Sequence, residues 1–250
     1  MKQMIRNVFF VGLWAGVMSP LCLMAASLGI RATPEHLVFV RDEGVTFTVS
    51  IKNFGEKAFI VDDYGEYVDN SVEIRLKKAD GGYLLVREGS PLENVMVVPQ
   101  GTQDFSVNLL RWFPEAKEGS YFVQFIAHRK GEVVGSELIK FDIVAGIEIG
   151  SVTRPIPGDD STSRTYTLLY WPRNQVEAFF MRVTEGSEDR VIGLVRLGNI
   201  VRYAKPKVDF AGGGILTVTH QASRDILVRT TLRSTRSEFS VVNVERILNK

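Results

Sequence analysis

Apolar residues in this chain recur at every second position, in one short segment after another. "VTFTVSI" puts Val45, Phe47, Val49 and Ile51 on one face and Thr46, Thr48 and Ser50 on the other. "VEIRLK" repeats this with Val72, Ile74 and Leu76, and "FSVNL" with Phe105, Val107 and Leu109. "YFVQFIA" continues it with Tyr121, Val123, Phe125 and Ala127, and "IKFDIV" with Ile139, Phe141 and Ile143. A period of two is that of an antiparallel strand with one buried face. No segment has a convincing helical period. "VEAFFMRV" comes nearest, and its aromatic content favours a strand. Turn signals such as "NFGEK", "ADGG", "PQG" and "HRKGE" separate the strands, and Asp80-Gly81 before "YLLV" suits a hairpin. Several short strands at this spacing predict an all-β chain with a β-sandwich in its first half.

Three segments of that half carry a resemblance: "VTFTVSIKNFGEKAF", "VVPQGTQDFSVNL" and "EGSYFVQF". Their layout resembles that of secreted bacterial immunoglobulin-like β-sandwich proteins, over residues 31–144. The resemblance implies that Tyr121 sits near a strand start, similar to a tyrosine corner. The cysteine pair and strand-borne tryptophan of antibody domains are absent. It implies a fold and no activity.

The second half is again strand-like, in "RTYTLLYW", "VEAFFMRV", "RVIGLVRL", "ILTVTHQ", "RDILVRTTL" and "EFSVVNVERIL". Before it runs "AGIEIGSVTRPIPGDDSTS", rich in Gly, Pro, Ser and Asp, which reads as a boundary. The expected organisation is a signal peptide at 1–26, an immunoglobulin-like sandwich at 27–145, a linker at 146–163 and a second small antiparallel β domain at 164–250. That second domain is either a small sandwich or a pair of meander sheets. No clear internal repeat supports a propeller.

The N-terminus predicts export. Lys2 and Arg6 precede the charge-free "VFFVGLWAGVMSPLCLMAAS", which ends in small residues. That order is the order of a secretory signal peptide, with cleavage expected after Ala25, Ala26 or Ser27. The run is also long enough to span a bilayer if it stays uncleaved, which is the one membrane attachment expected. Cys22 is the only cysteine. A mature chain without it forms no disulfide, and thiol catalysis and Cys-ligated metal sites are excluded. A periplasmic or cell-envelope location in a bacterium follows as the expectation.

The net charge of +1 hides an asymmetry. Over residues 27–145 Asp and Glu outnumber Lys and Arg by 18 to 13, whereas over 146–250 Lys and Arg lead by 15 to 11. Arg dominates that excess, and Arg suits planar, bidentate anion contacts. Arg182, Arg190, Arg196, Arg202, Arg229, Arg233 and Arg236 are candidates for a surface that binds an anionic partner, either a protein or an acidic envelope polymer. Charges that keep a sheet soluble account for them equally. Nucleic acid is not an expected partner. The acidic counterpart is "VDDYGEYVDN", whose Asp62, Asp63, Glu66 and Asp69 are candidates for a contact loop. Its spacing does not match an EF-hand.

Other residues carry less. In "LTVTHQASRD" His220 shares parity with Leu216 and Val218, so it falls on the apolar side. Ser223 and Asp225 lie beside it in sequence, without a nucleophile-elbow context. His36 and His128 are isolated, with His128 on the exposed side of its strand, so no zinc set forms. "FAGGG", Phe210 to Gly214, precedes a strand rather than a helix and lacks the Lys and Ser/Thr of a phosphate loop. Trp112, Tyr170 and Trp171 are candidates for sugar stacking or for core packing. No cofactor is implied. The expected role is a non-catalytic binding or scaffolding protein. The alternatives are a hydrolase or lyase on envelope polymers and a proteinase-inhibitor-like module.

Overall fold

The computed structural model describes residues 26–61, 70–81, 84–86, 92, 95–156, 159–173, 175–186, 190–236 and 239–248. The first half contains β1 (Leu28–Pro34), β2 (Val38–Val40), β3 (Thr46–Asn53), β4 (Phe59–Val61), β5 (Ser71–Lys78) and β6 (Leu84–Val86). They are followed by β7 (Val95–Val97), β8 (Thr102–Asn108), the single-turn α1 (Leu109–Trp112), β9 (Gly119–Arg129), β10 (Glu132–Gly135) and β11 (Ile139–Val144). One sheet has the order β1-β3-β8, and the other β2-β11-β9-β5-β6 with β10 beside β9. All their pairings are antiparallel except β2 with β11. A small β4-β7 ribbon completes this half.

The two sheets pack face to face because the period-two residues meet between them. Phe47, Val49 and Ile51 from one sheet bury against Val72, Ile74, Val123, Phe125 and Phe141 from the other. Phe105 is only partly buried, while Val107 and Leu109 are in the core. Trp112 packs against the same core, which accounts for it without a ligand. Tyr121 stacks on Phe141 and its hydroxyl donates to the Lys117 carbonyl at 2.7 Å, which fixes the corner that opens β9. Asn53 does the same for the turn after β3. It is fully buried, and its amide donates to the carbonyls of Lys57 and Val97 at 2.9 and 3.0 Å. His128 lies opposite the buried face of β9, as its parity requires. It is half-buried rather than exposed, because its Nε2 meets Glu73 at 3.0 Å.

The second half contains β12 (Ile147–Ile156), β13 (Asp159–Arg173), β14 (Val176–Glu185) and β15 (Arg190–Ile200), paired in that order as an antiparallel meander. A second meander follows in β16 (Lys207–Ala211), β17 (Ile215–Ser223), β18 (Ile226–Ser234) and β19 (Phe239–Leu248). Tyr166, Leu168, Phe179, Met181 and Val183 of the first meander bury against Leu216, Val218 and Leu232 of the second. Both expected forms are therefore met at once, since two meander sheets stack as a sandwich. Among the described residues no helix is long and apolar enough to cross a membrane.

The segment 146–163 is not a linker. Ile147–Ile156 is strand, and β13 begins at Asp159. Its Pro155 is tolerated because β12 lies at a sheet edge, where a missing N–H costs no ladder bond. Only Ala145 and Gly146 separate β11 from β12. The two halves meet directly. Val40 is fully buried among Leu169, Ala178 and Phe180, with Trp171 packed against them. Arg173 grips Glu43 with both terminal nitrogens, one of them at 2.8 Å from Oε1. The Val40 N–H also donates to Glu43, at 2.9 Å, so the turn before β3 is tied to the end of β13. Burial, and next the charge of Arg173, hold His36 below the ordinary histidine range at this junction.

Candidate ligand-binding site

The sheets of the second sandwich part along the edge formed by β12 and β16. Val152 and Arg154 of β12 stand opposite Tyr166 and Arg164 of β13, so they share its inward face. The guanidinium of Arg154 lies 5.4 Å from the centre of the Phe210 ring of β16, and Phe210 meets Tyr166 edge-on at 5.3 Å. A cavity of about 490 Å³ opens between them. Arg154, Pro155, Tyr166, Phe210, Gly214 and Ser234 line it, together with the rest of the glycine turn. Small-ligand sites span about 300–1,000 Å³.

The floor is polar and fully satisfied. Arg164 is 2% exposed. Its Nε donates to Glu185 at 2.8 Å and Nη1 donates to Ser234 Oγ at 3.0 Å. Nη1 also meets the Thr235 carbonyl, and Nη2 meets that of Arg236 at 3.2 Å. The Tyr166 hydroxyl shares a hydrogen bond with Ser234 Oγ at 2.8 Å. Arg164, and after it Arg190, hold the Glu185 carboxyl below its usual range. The mouth differs. Arg154 is exposed, and among the described residues it forms no ion pair. Its guanidinium lies over the Phe210 ring on the inward face of β12.

Of the "FAGGG" run, read from the sequence as a turn, Phe210 and Ala211 belong to β16, and only Gly212 to Gly214 turn to close the β16–β17 hairpin over this cavity. Gly214 has φ +77, and a Cβ there would lie 2.6 Å from the Ser234 carbonyl oxygen. Gly214→Ala is expected to cost roughly 2 kcal/mol, because a left-handed residue and a backbone clash add. Gly212→Ala meets open space and serves as the control. Thermal midpoints of the two variants test this: a drop for Gly214→Ala and none for Gly212→Ala.

The seven candidate arginines do not share a face. Arg229 and Arg233 alternate with the buried Val228 and Leu232, so they point outward from the β16–β19 sheet. Arg182 alternates with Met181 and Val183, so it lies on the other face of the opposite sheet, where its Nε and Nη1 are buried without a hydrogen-bond partner among the described residues. Arg196 is paired with Phe180, whose face receives the first half. Arg190 is held by Glu185. Arg202 is held by Glu177 at 2.7 Å and by the Tyr170 hydroxyl at 2.9 Å, with Tyr170 itself in the core. Arg229 lies 3.6 Å from Glu245. Arg236 is exposed beside the turn that Arg164 anchors. Asp62, Asp63, Glu66 and Asp69 lie outside the described residues.

His220 is 2% exposed in the middle of β17, tilted against Phe179 at 4.8 Å. Its Nε2 meets the Asn199 carbonyl at 3.1 Å, and its Nδ1 has no hydrogen-bond partner among the described residues. Neither Ser223 nor Asp225 engages it, so no triad forms. No group of three or more His, Cys, Asp or Glu among the described residues is placed to hold a metal.

Comparison with protein-family models finds no match, and neither does comparison with curated proteins. Among solved structures the chain is similar to Spo0M, a sporulation control protein from Bacillus subtilis. The identity is 10%, over 90% of this chain and 91% of that one, with a TM-score of 0.32. A likeness of that size assigns no role.

Proposed function

We propose that this is an exported, non-catalytic binding protein of the bacterial periplasm or cell envelope. Its second sandwich engages an anionic partner at the cavity beside Arg154. The observation that carries this reading is the exposed Arg154, without an ion pair among the described residues, at the mouth of a cavity backed by Phe210 and Tyr166. Export rests on the basic, then charge-free, N-terminal sequence.

The first half is read as immunoglobulin-like. In support, β1-β3-β8 faces β11-β9-β5, β2 runs parallel to β11, and the Tyr121 hydroxyl bonds back to Lys117. Its role is to hold the binding sandwich rigidly, through Val40 and the Glu43–Arg173 pair. Against catalysis stands the use made of each histidine. His220 caps a strand carbonyl inside the core, His128 pairs with Glu73, and His36 packs at the junction against Phe39.

Residues 27–250, immobilised and exposed to an envelope extract, test the reading. The wild type is expected to retain a partner at low salt and release most of it at moderate salt. Arg154→Glu is expected to retain at least fivefold less at low salt. Equal retention by the two chains would remove the cavity from the binding site.

A further inference from the structure

We infer that the ligand of the Arg154 cavity is a carboxylate-bearing sugar residue of an acidic polysaccharide, an inference that rests on the anionic-partner reading above. Three features of the cavity converge on that chemistry. The first is Arg154. It points into the space between the sheets, no carboxylate among the described residues neutralises it, and a guanidinium pairs a carboxylate through two parallel hydrogen bonds. The second is Phe210. It offers a partly exposed ring at the same mouth, held upright by its edge-on contact with Tyr166. A pyranose presents C–H faces to such a ring and keeps its hydroxyls at the rim. The Arg154 guanidinium lies over the Phe210 ring, 5.4 Å from its centre, so a carboxylate held by Arg154 sits next to that ring.

The third feature is the turn from Gly212 to Gly214. It carries no side chain above the cavity, its Gly214 carbonyl already accepts from the Ser234 N–H at 2.7 Å, and Gly213 and Gly214 hold left-handed φ values of +71 and +77, so a sugar hydroxyl can approach the turn's backbone closely. The cavity also lies along an open sheet edge rather than inside a closed core. A polymer can therefore enter and leave on both sides of the bound residue. A fatty or aromatic acid would bury its apolar body more fully in an enclosed pocket. Behind the lining Ser234, Arg164 is spent on Glu185, Ser234 and two carbonyls and adds no free cation to the cavity. One cation suits a monovalent carboxylate better than a phosphate dianion.

The test is calorimetric titration of residues 27–250 with three probes: an oligogalacturonate, the neutral oligogalactose of equal length, and poly-glutamate. The expected result is binding of the oligogalacturonate with at least tenfold preference over the neutral sugar. Arg154→Gln should weaken it tenfold or more, and Phe210→Ala at least fivefold. Thermal midpoints are recorded alongside. Arg154 is exposed, has no ion pair among the described residues and keeps only its contact with the Phe210 ring, so Arg154→Gln should melt within a few degrees of the wild type. Equal binding of the neutral sugar, or oligogalacturonate binding that ignores both substitutions, overturns the inference. Binding of poly-glutamate through Arg154 without oligogalacturonate binding also overturns the sugar but leaves the anionic-partner reading standing. Binding of neither probe, with envelope capture insensitive to Arg154, removes both.

Discussion

Arg164→Met is expected to destabilise the second sandwich by about 3–5 kcal/mol, the usual cost of removing one partner from a buried charge pair. Four acceptors each lose a hydrogen bond at once. The Glu185 carboxylate, Ser234 Oγ and the carbonyls of Thr235 and Arg236 are all left in a region that Arg164 fills completely. Arg190 still reaches Glu185, so part of the carboxylate's compensation survives. Adding Glu185→Gln should recover a further part by removing the poorly paired charge. Arg164→Lys should fail to rescue, since an ammonium cannot serve a carboxylate, a hydroxyl and two carbonyls in one plane. Urea unfolding gives the measurement, with a shifted midpoint and an unchanged slope. A loss below about 1 kcal/mol, the range of a surface pair, would show that Arg164 does not clamp β13 to the turn after β18.

Acid should weaken the fold through His220. Burial lowers its pKa from 6.5 to about 4 in the folded protein, against a smaller opposing effect of its bond to Asn199. The unfolded chain therefore takes up a proton near pH 6.5, while the folded chain refuses it until about pH 4. Between those values the unfolded state binds more protons, so stability falls as pH falls. The contribution is fully present above pH 6.5 and lost by about pH 4. At 1.36 kcal/mol per unit it amounts to about 3 kcal/mol. His220→Gln keeps a donor for the Asn199 carbonyl and cannot titrate. The difference between the two stability curves should slope through this window and flatten outside it. His36 has a lowered pKa of the same sign, and the subtraction cancels its share. Parallel curves between pH 6.5 and 4 would place His220 in water rather than in the core.

The strands were legible because an antiparallel strand with one wet face writes its register into the sequence. Phe47, Val49 and Ile51, or Val123 and Phe125, need only their parity to be placed. His220 was legible for the same reason, since it keeps the parity of Leu216 and Val218. Arg154 was not. Its strand is an edge strand with Gly150, Pro155 and several Ser and Asp nearby, and that composition is also the composition of a linker. The one available signal was the alternation Val152, Arg154, Ile156, which puts an arginine on an apolar face. Arg164 was hidden for a different reason. A charged residue is normally exposed, and only partners 21 and 70 positions away reverse that. Parity orders residues within one strand only, so it could not place the arginines of different strands on one face. It does not say that Arg229 and Arg182 leave the sandwich on opposite sides.

The measurement to make first is amide hydrogen exchange on residues 27–250, with and without the anionic polysaccharide fraction of the envelope. A carboxylate held by Arg154 over Phe210 predicts added protection confined to residues 152–156 and 208–216, absent in Arg154→Glu. Protection confined to the first half, or none at concentrations that saturate capture, would contradict a binding site in the open edge of the second sandwich.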